Sequence, residues 1–388
     1  MSCYISSNNN RVYVALETAY GTVPAVTAQN RIPTVKLTAK QVLETTGRRD
    51  KTGSRTFPGL PNHIRRKTSF QLDTLMTQWD DMTQQPTQGA LFQSAMGGAP
   101  KLFAGGTAAS VAGTNVQFSA AHGLSVGQGL KFGGEIRFVA GIPNGSTVVL
   151  NAPFTNLTSG SVMGASITYT LATTIASTSI FDFWDPSTSV QRILNGAAMD
   201  TMKIKVNGDY QEFLFGGPAQ DLLDNQSFTN GQGGLTAFPA EPVIAGFDYT
   251  VIPGHLGQAW LGLPESRFYT LTQAELDFKN NIDLRVREFG SDFARCIAAG
   301  KRDVGLNFAL LADDQTATLG LYQSARQRSP ISVMLQLGQQ DGQLFGVYLP
   351  EMVPEVPESD DSATRLEWRF QNSKAQGTMN DELYIAFG

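Results

Sequence analysis

Apolar and polar residues alternate with a period of two along most of this chain, and that alternation predicts strands. Arg11-Val12-Tyr13-Val14-Ala15-Leu16 reads as a short strand, and Glu17-Thr18-Ala19-Tyr20-Gly21-Thr22-Val23-Pro24 as the Gly/Pro turn that leads it into an exposed arm. A second run from Val35 to about Arg49 reverses into Ser69 to Leu75, giving a long hairpin. Its tip, Arg48 to Pro61, is too polar and too rich in Gly and Pro to pack, so it should project from the body. Where the period lengthens to that of a helix, Leu91, Phe92, Ala95 and Met96 share one face; Pro86 suits the first turn and Gly97-Gly98 ends the helix.

This unit is written twice. Leu91-Phe92-Gln93-Ser94-Ala95 returns as Leu321-Tyr322-Gln323-Ser324-Ala325, and upstream Ile64-Arg65-Arg66 aligns with Gly300-Lys301-Arg302, Phe70 with Leu306 and Leu72 with Phe308. Leu37 to Val42 is matched with Leu271 to Leu276, and Met202 to Val206 with Leu366 to Phe370. Each copy is taken to close on Phe-Gly, at Phe215-Gly216 and Phe387-Gly388. In the second copy Asp313 or Asp314 is expected to cap the helix, and Arg326 and Arg328 sit where the helix dipole favours cations. Asn207-Gly208 signals a tight hairpin, and Gly231-Gln232-Gly233-Gly234 a hinge between the copies.

Between the first helix and the rest of copy one lies a Gly-, Ala-, Ser- and Thr-rich stretch, about Lys101 to Thr173, with short strands and turn signals. It predicts a small β-barrel or sandwich standing outside the main body. The expected fold is therefore mainly β: two tandem sandwich units, each with one flanking helix, plus the inserted domain. Residues 1–100 and 174–235 make the first unit, 101–173 the insert and 236–388 the second unit.

Composition narrows the chemistry. The 388 residues carry 29 Lys plus Arg against 34 Asp plus Glu, a net charge of -5, which gives the chain as a whole no reason to hold nucleic acid or an anionic membrane. Two cysteines, Cys3 and Cys296, make no disulfide framework, and no apolar run is long enough for a membrane helix. The expectation is a non-secreted protein without membrane insertion. His63, His122 and His255 stand apart with no partner at ligand spacing, so neither a metal nor a cofactor is expected. Gly127-Gln128-Gly129 precedes a strand instead of a helix, which removes the dipole a phosphate loop needs, and Asp50-Lys51-Thr52-Gly53 lacks any nucleotide-binding partner segment. The pairs Asp80-Asp81, Asp313-Asp314 and Asp360-Asp361 read as caps and solvated loops, and no catalytic arrangement coheres. The basic cluster Arg48, Arg49, Lys51, Arg55, Arg65, Arg66 and Lys67 is either a solvated run, a nucleic-acid patch with only Phe57 interleaved, or a contact with acidic loops of another copy such as Glu351, Glu355, Glu358, Asp360 and Asp361.

Glu17 to Pro24, the Gly53-Ser54-Arg55 loop, the strand-to-helix unit ending Leu91-Phe92-Gln93-Ser94-Ala95, Gln336-Leu337-Gly338 and Asp381-Glu382-Leu383-Tyr384-Ile385-Ala386 together resemble the tail tube (major tail) proteins of long-tailed bacteriophages, over everything but the insert. The resemblance implies a β-sandwich with one flanking helix. It implies rings whose inner strands join into one barrel, stacked into a tube through which genomic DNA passes unbound, in a virion tail assembled in the host cytoplasm. Six units make such a ring, so a two-unit chain favours a homotrimer with pseudo-sixfold symmetry over six chains. Tape-measure, tail-tip and terminator proteins would be the other partners. A bore should avoid unpaired cations, which would hold phosphate; Glu44, Asp73, Glu275, Asp277 and Asp283 are the lumen-facing candidates. Arg48, Arg49, Lys51, Arg55, Asp292, Arg295 and Arg302 are the candidates for ring stacking. Two other classes compete: a receptor-binding or decoration protein, suggested by the insert, and a glycan hydrolase, disfavoured by four scattered tryptophans.

Overall fold

The computed structural model describes residues 4–44, 50–57, 59, 64–79, 84–244, 250–286 and 288–388. The first half supplies β1 (Asn10–Leu16), β2 (Arg31–Ile32), β3 (Thr34–Glu44), β4 (Arg65–Leu75) and helix α1 (Gly89–Met96). Then follow β5 (Lys101–Phe103), β6 (Gly106–Ala112), β7 (Asn115–Phe118), β8 (Gly129–Phe132), β9 (Glu135–Asn144), β10 (Thr147–Leu150), β11 (Val162–Met163) and β12 (Ser166–Thr170). The chain returns through β13 (Thr178–Trp184), β14 (Arg192–Ala197), β15 (Thr201–Val206), β16 (Glu212–Ala219) and β17 (Asp221–Asp224). The second half supplies β18 (Gly257–Gly262), β19 (Glu265–Arg267), β20 (Leu271–Lys279), β21 (Asp283–Leu284), β22 (Ile297–Ala298), β23 (Asp303–Leu311), α2 (Thr316–Gln327), β24 (Ile331–Leu337), β25 (Phe345–Val353), β26 (Glu358–Asp360), β27 (Glu367–Ala375) and β28 (Tyr384–Phe387).

The protein is mainly β, and its strand order repeats. One layer of the first half runs β2-β1-β13-β14-β17; its counterpart in the second half runs β19-β18-β24-β25-β28. The other layer runs β3-β4-β16-β15 in the first half and β20-β23-β27-β26 in the second. These last two are one sheet, because β15 pairs with β20 over six residue pairs from Thr201↔Lys279 to Val206↔Ala274. Period-two sequences bury one face: Phe70, Leu72, Met202, Ile204, Phe213, Phe215, Leu276, Phe278, Leu306 and Phe308 all enter a single core shared by the two halves. Phe92 of α1 sits at its centre, in contact with Phe213 and Phe215 of the first half, Phe345 and Phe387 of the second, and Tyr169 of β12. Left-handed Gly97 (φ 82°) ends α1 as the Gly-Gly signal predicts.

Several expectations are corrected. Residues 11–16 form the expected strand, with Val12 to Ala15 buried in mid-sheet, but the turn after it does not run free: Glu17 fastens it by accepting from Ser177, Ser179, Gly21 N–H and Gly196 N–H at 2.6–2.7 Å. Leu37 lies opposite Leu72 and Ala274 opposite Phe308, so Leu37 corresponds to Ala274 and not to Leu271. The counterpart of β27 is β16, not Met202 to Val206, and Phe215-Gly216 lies inside β16 instead of closing a copy. Asn207-Gly208 opens a longer turn, since β15 stops at Val206 and β16 begins at Glu212. Helix α2 begins after Gln315, whose N–H donates to Asp313, and neither aspartate occupies the cap itself.

The insert does not stand apart. Its six-stranded sheet, β11-β6-β7-β10-β9-β8, has its own core around Phe118, Leu130, Val139 and Val148. The flanking strands β5 and β12 extend the second half's outer layer through β12–β28. Ile136 and Phe138 pack onto Met334, Leu344, Tyr348 and Tyr384. Between them Arg137, fully buried, lies between the rings of Phe154 and Trp260, meets Glu135 at 3.2 Å and donates to Gln258 at 2.8 Å and to the Pro153 carbonyl at 3.0 Å. A buried guanidinium is tolerable only when so fully partnered; burial still pushes it down to about 10.

Two outcomes follow. Phe92→Ala should lower the unfolding free energy by about 3–5 kcal/mol, measured by denaturant titration, because a buried ring shared by both halves leaves a cavity. At the insert junction, burial pushes Glu265 up to about 7, against the hydrogen bonds from Ser332 and Asn151 that oppose the shift. A carboxyl with a raised folded-state value stabilises fully below its ordinary 4.5 and loses that contribution as pH rises towards 7. Glu265→Gln should therefore match the parent at pH 4.5 and exceed it by about 1–3 kcal/mol at pH 8.

Candidate functional site

The layer β3-β4-β16-β15-β20-β23-β27-β26 turns its second face away from the core. Directly opposed residues share a face, so the register Lys36↔Asp73↔Leu214↔Lys203↔Asp277↔Gly305↔Lys374 traces one row across it. Charge alternates along that row. Lys203 bridges Glu275 at 3.0 Å and Asp277 at 2.8 Å, and these hydrogen bonds hold its ammonium above the ordinary range; Lys374 meets Asp303 at 2.6 Å.

Of the lumen-facing candidates, Asp73, Glu275 and Asp277 lie on this face, and Glu44 joins them at the end of β3 opposite Arg65. Asp283 does not: it belongs to β21, in the loop between β20 and β23. The expectation of a neutral or acidic face is corrected too. Lys36, Lys40, Lys67, Lys203, Lys205, Lys279 and Lys374 share it, of which Lys203 and Lys374 are ion-paired. The alternation of Lys with Asp and Glu on facing strands was the available signal.

The stacking candidates scatter. Arg48 and Arg49 lie outside the described residues. Lys51, Arg55 and Arg295 are exposed. Asp292 is held within the chain by Arg66, whose N–H donates to the Asp292 carbonyl at 2.8 Å and whose guanidinium reaches its carboxylate at 3.3 Å and that of Asp221 at 3.1 Å. Arg302 is drawn into the body by Glu382 at 3.5 Å and by Asn380. Sequence reading missed the flanks of the layer: among the described residues β3 pairs only with β4 and β26 only with β27. Val35, Val42 and Leu43 stand exposed on β3, while Glu358 is exposed on β26.

Among the described residues no group of three His, Cys, Asp or Glu could hold a metal ion, and no helix is long and apolar enough to cross a membrane. No protein-family model matches the chain, nor does any curated protein.

Half-exposed ion pairs contribute little to stability, so Glu275→Gln with Asp277→Asn should cost no more than about 1 kcal/mol. Freeing Lys203 should nevertheless raise retention on duplex DNA and steepen its salt dependence, read by titration at several salt concentrations.

Proposed function

We propose that this protein is a structural subunit of a phage tail tube. Copies join edge to edge into a closed ring, three chains giving pseudo-sixfold symmetry, and stacked rings make a conduit for DNA in the virion tail. The observation that carries the reading is the join already present within one chain. There β15 of the first half pairs with β20 of the second, and the Phe92 helix is buried beside it. The counterparts at the outer ends are β26, β3 and α2, where the match Leu91-Phe92-Gln93-Ser94-Ala95 to Leu321-Tyr322-Gln323-Ser324-Ala325 puts Tyr322 in the place of Phe92. Phe92 is fully buried; Tyr322 is 38% exposed and Leu319 52%. A second copy placing β26 against β3 would repeat the internal join and cover both.

Charge supports the same pairing. Lys36 and Lys40 on β3 and Glu358 and Asp360 on β26, the latter also meeting Arg369, give the two edges opposite sign, as Lys203 and Glu275 do at the internal join. Closure also removes the hazard of long unpaired edges. The polar face would then line the bore, where lysines alternate with carboxylates and Lys203 and Lys374 are ion-paired, so that duplex DNA meets mixed charge. Tape-measure, tip and terminator proteins would meet the ends of such a tube.

The competing reading, a receptor-binding or decoration protein, draws on the insert, which docks on the outer layer away from the polar face. Changing Val42 and Leu43 together to glutamate decides between them. The conduit reading expects an unchanged melting temperature and loss of assembly, seen by light scattering and electron microscopy of concentrated protein. Discrete particles from the parent chain itself would favour decoration.

A further inference from the structure

The internal repeat leaves one surface filled in the first half and open in the second. In the first half the loop between β20 and β23 leans sideways across β15 and β16 to reach β4. There Phe293 lies under the Arg66 guanidinium at 5.9 Å, Asp292 pairs with Arg66, and the Ala294 carbonyl accepts from Gln220 at 2.9 Å. The second half carries the matching surface. Arg302 aligns with Arg66, and Gln376 stands beyond Ala375 as Gln220 stands beyond Ala219. Here, among the described residues, a cleft of about 710 Å³ lies open, lined by Arg302, Lys301, Gln376, Met379, Asn280 and Thr173. Glu382 and Asn380 hold the Nε and Nη2 side of Arg302 at its wall, while Nη1 is buried there without a hydrogen-bond partner, a costly state for one donor.

The matching loop of the first half is the β3–β4 tip. Phe57 stands nine residues before Arg66, and Phe293 nine before Arg302. Phe293 is tucked against its arginine; Phe57 is 66% exposed. Because β3 is the last strand of the layer, a tip that leans as its counterpart does passes off the edge.

We propose that the cleft beside Arg302 receives the Phe57 tip of a second copy, repeating between chains the Phe293–Arg66 contact found within one. The described tip residues Asp50 to Phe57 are the occupant. This rests on the ring-forming reading above and adds to it the contact that sets which copy lies next and in what register.

The test uses full-length chains with Cys3 and Cys296 changed to serine. One population carries Thr56→Cys, which keeps Phe57, and the other Met379→Cys; they are mixed, allowed to assemble and treated with a short bismaleimide. A link joining residue 56 of one chain to residue 379 of another, absent when either population is treated alone, is the expected result. Phe57→Ala should also raise the concentration needed for assembly about tenfold or more, with the melting temperature unchanged, as for an aromatic anchor lost from an interface. Assemblies of normal size that lack the 56–379 link and tolerate Phe57→Ala would overturn the contact while leaving the ring intact. A chain that stays monomeric at every concentration, unlinked, would overturn both.

Discussion

A β-sheet edge is a row of backbone donors and acceptors that its own chain has not paired, and this fold is built around two of them. Within one molecule the problem is solved once. The four-strand layer of the first half meets that of the second at β15 and β20, and six residue pairs convert two edges into sheet interior. The remaining edges, β3 and β26, are what that solution leaves over. Natural proteins blunt long edges with charge, proline or bulges, or close them. Here β3 is eleven residues long and carries exposed Val35, Val42 and Leu43, features that suit a strand awaiting a partner better than one avoiding it.

The same asymmetry runs through the core. Phe92 is packed by rings from both halves because α1 lies beside the internal join, whereas Tyr322 on α2 meets the ring of Trp368 at 5.1 Å and stays 38% exposed. One helix is thus a core element and its twin an amphipathic surface, from nearly the same pentamer. The insert is bound differently, through a dry polar network at Arg137. Removing one member of such a network leaves a buried charge unpaired, so the insert is tied to a single docked position instead of hanging on a flexible tether.

Much of this was legible in the sequence, because period-two alternation and a repeated helix motif depend only on local pattern. The alternation pairs Phe70 with Leu306 and Leu72 with Phe308, all four of which lie in the core, and the repeated motif sets the two helices in equivalent positions. The errors have physical causes. Leu37 was matched to Leu271 because side-chain type aligns apolar residues without regard to which partner strand fixes their register, and a slip of three turns the strand over. Asp283 was sent to the polar face because its loop has strand-like alternation of its own. Arg302 was read as a tip residue because sequence separation cannot show that Glu382 and Asn380 lie beside it. Nothing local marks the docking of the insert either, since Arg137 reads as an ordinary polar position until Trp260 and Gln258, more than a hundred residues away, fold against it.

Edge closure is read most directly by backbone hydrogen exchange on dilute and on concentrated protein. If copies join as the halves of one chain do, amides in Thr34–Glu44 and in 355–360 that exchange freely in the dilute state become protected on assembly, while those of β15 and β20 are protected in both. Assemblies in which the β3 amides still exchange as fast as in the isolated chain would contradict closure through this edge.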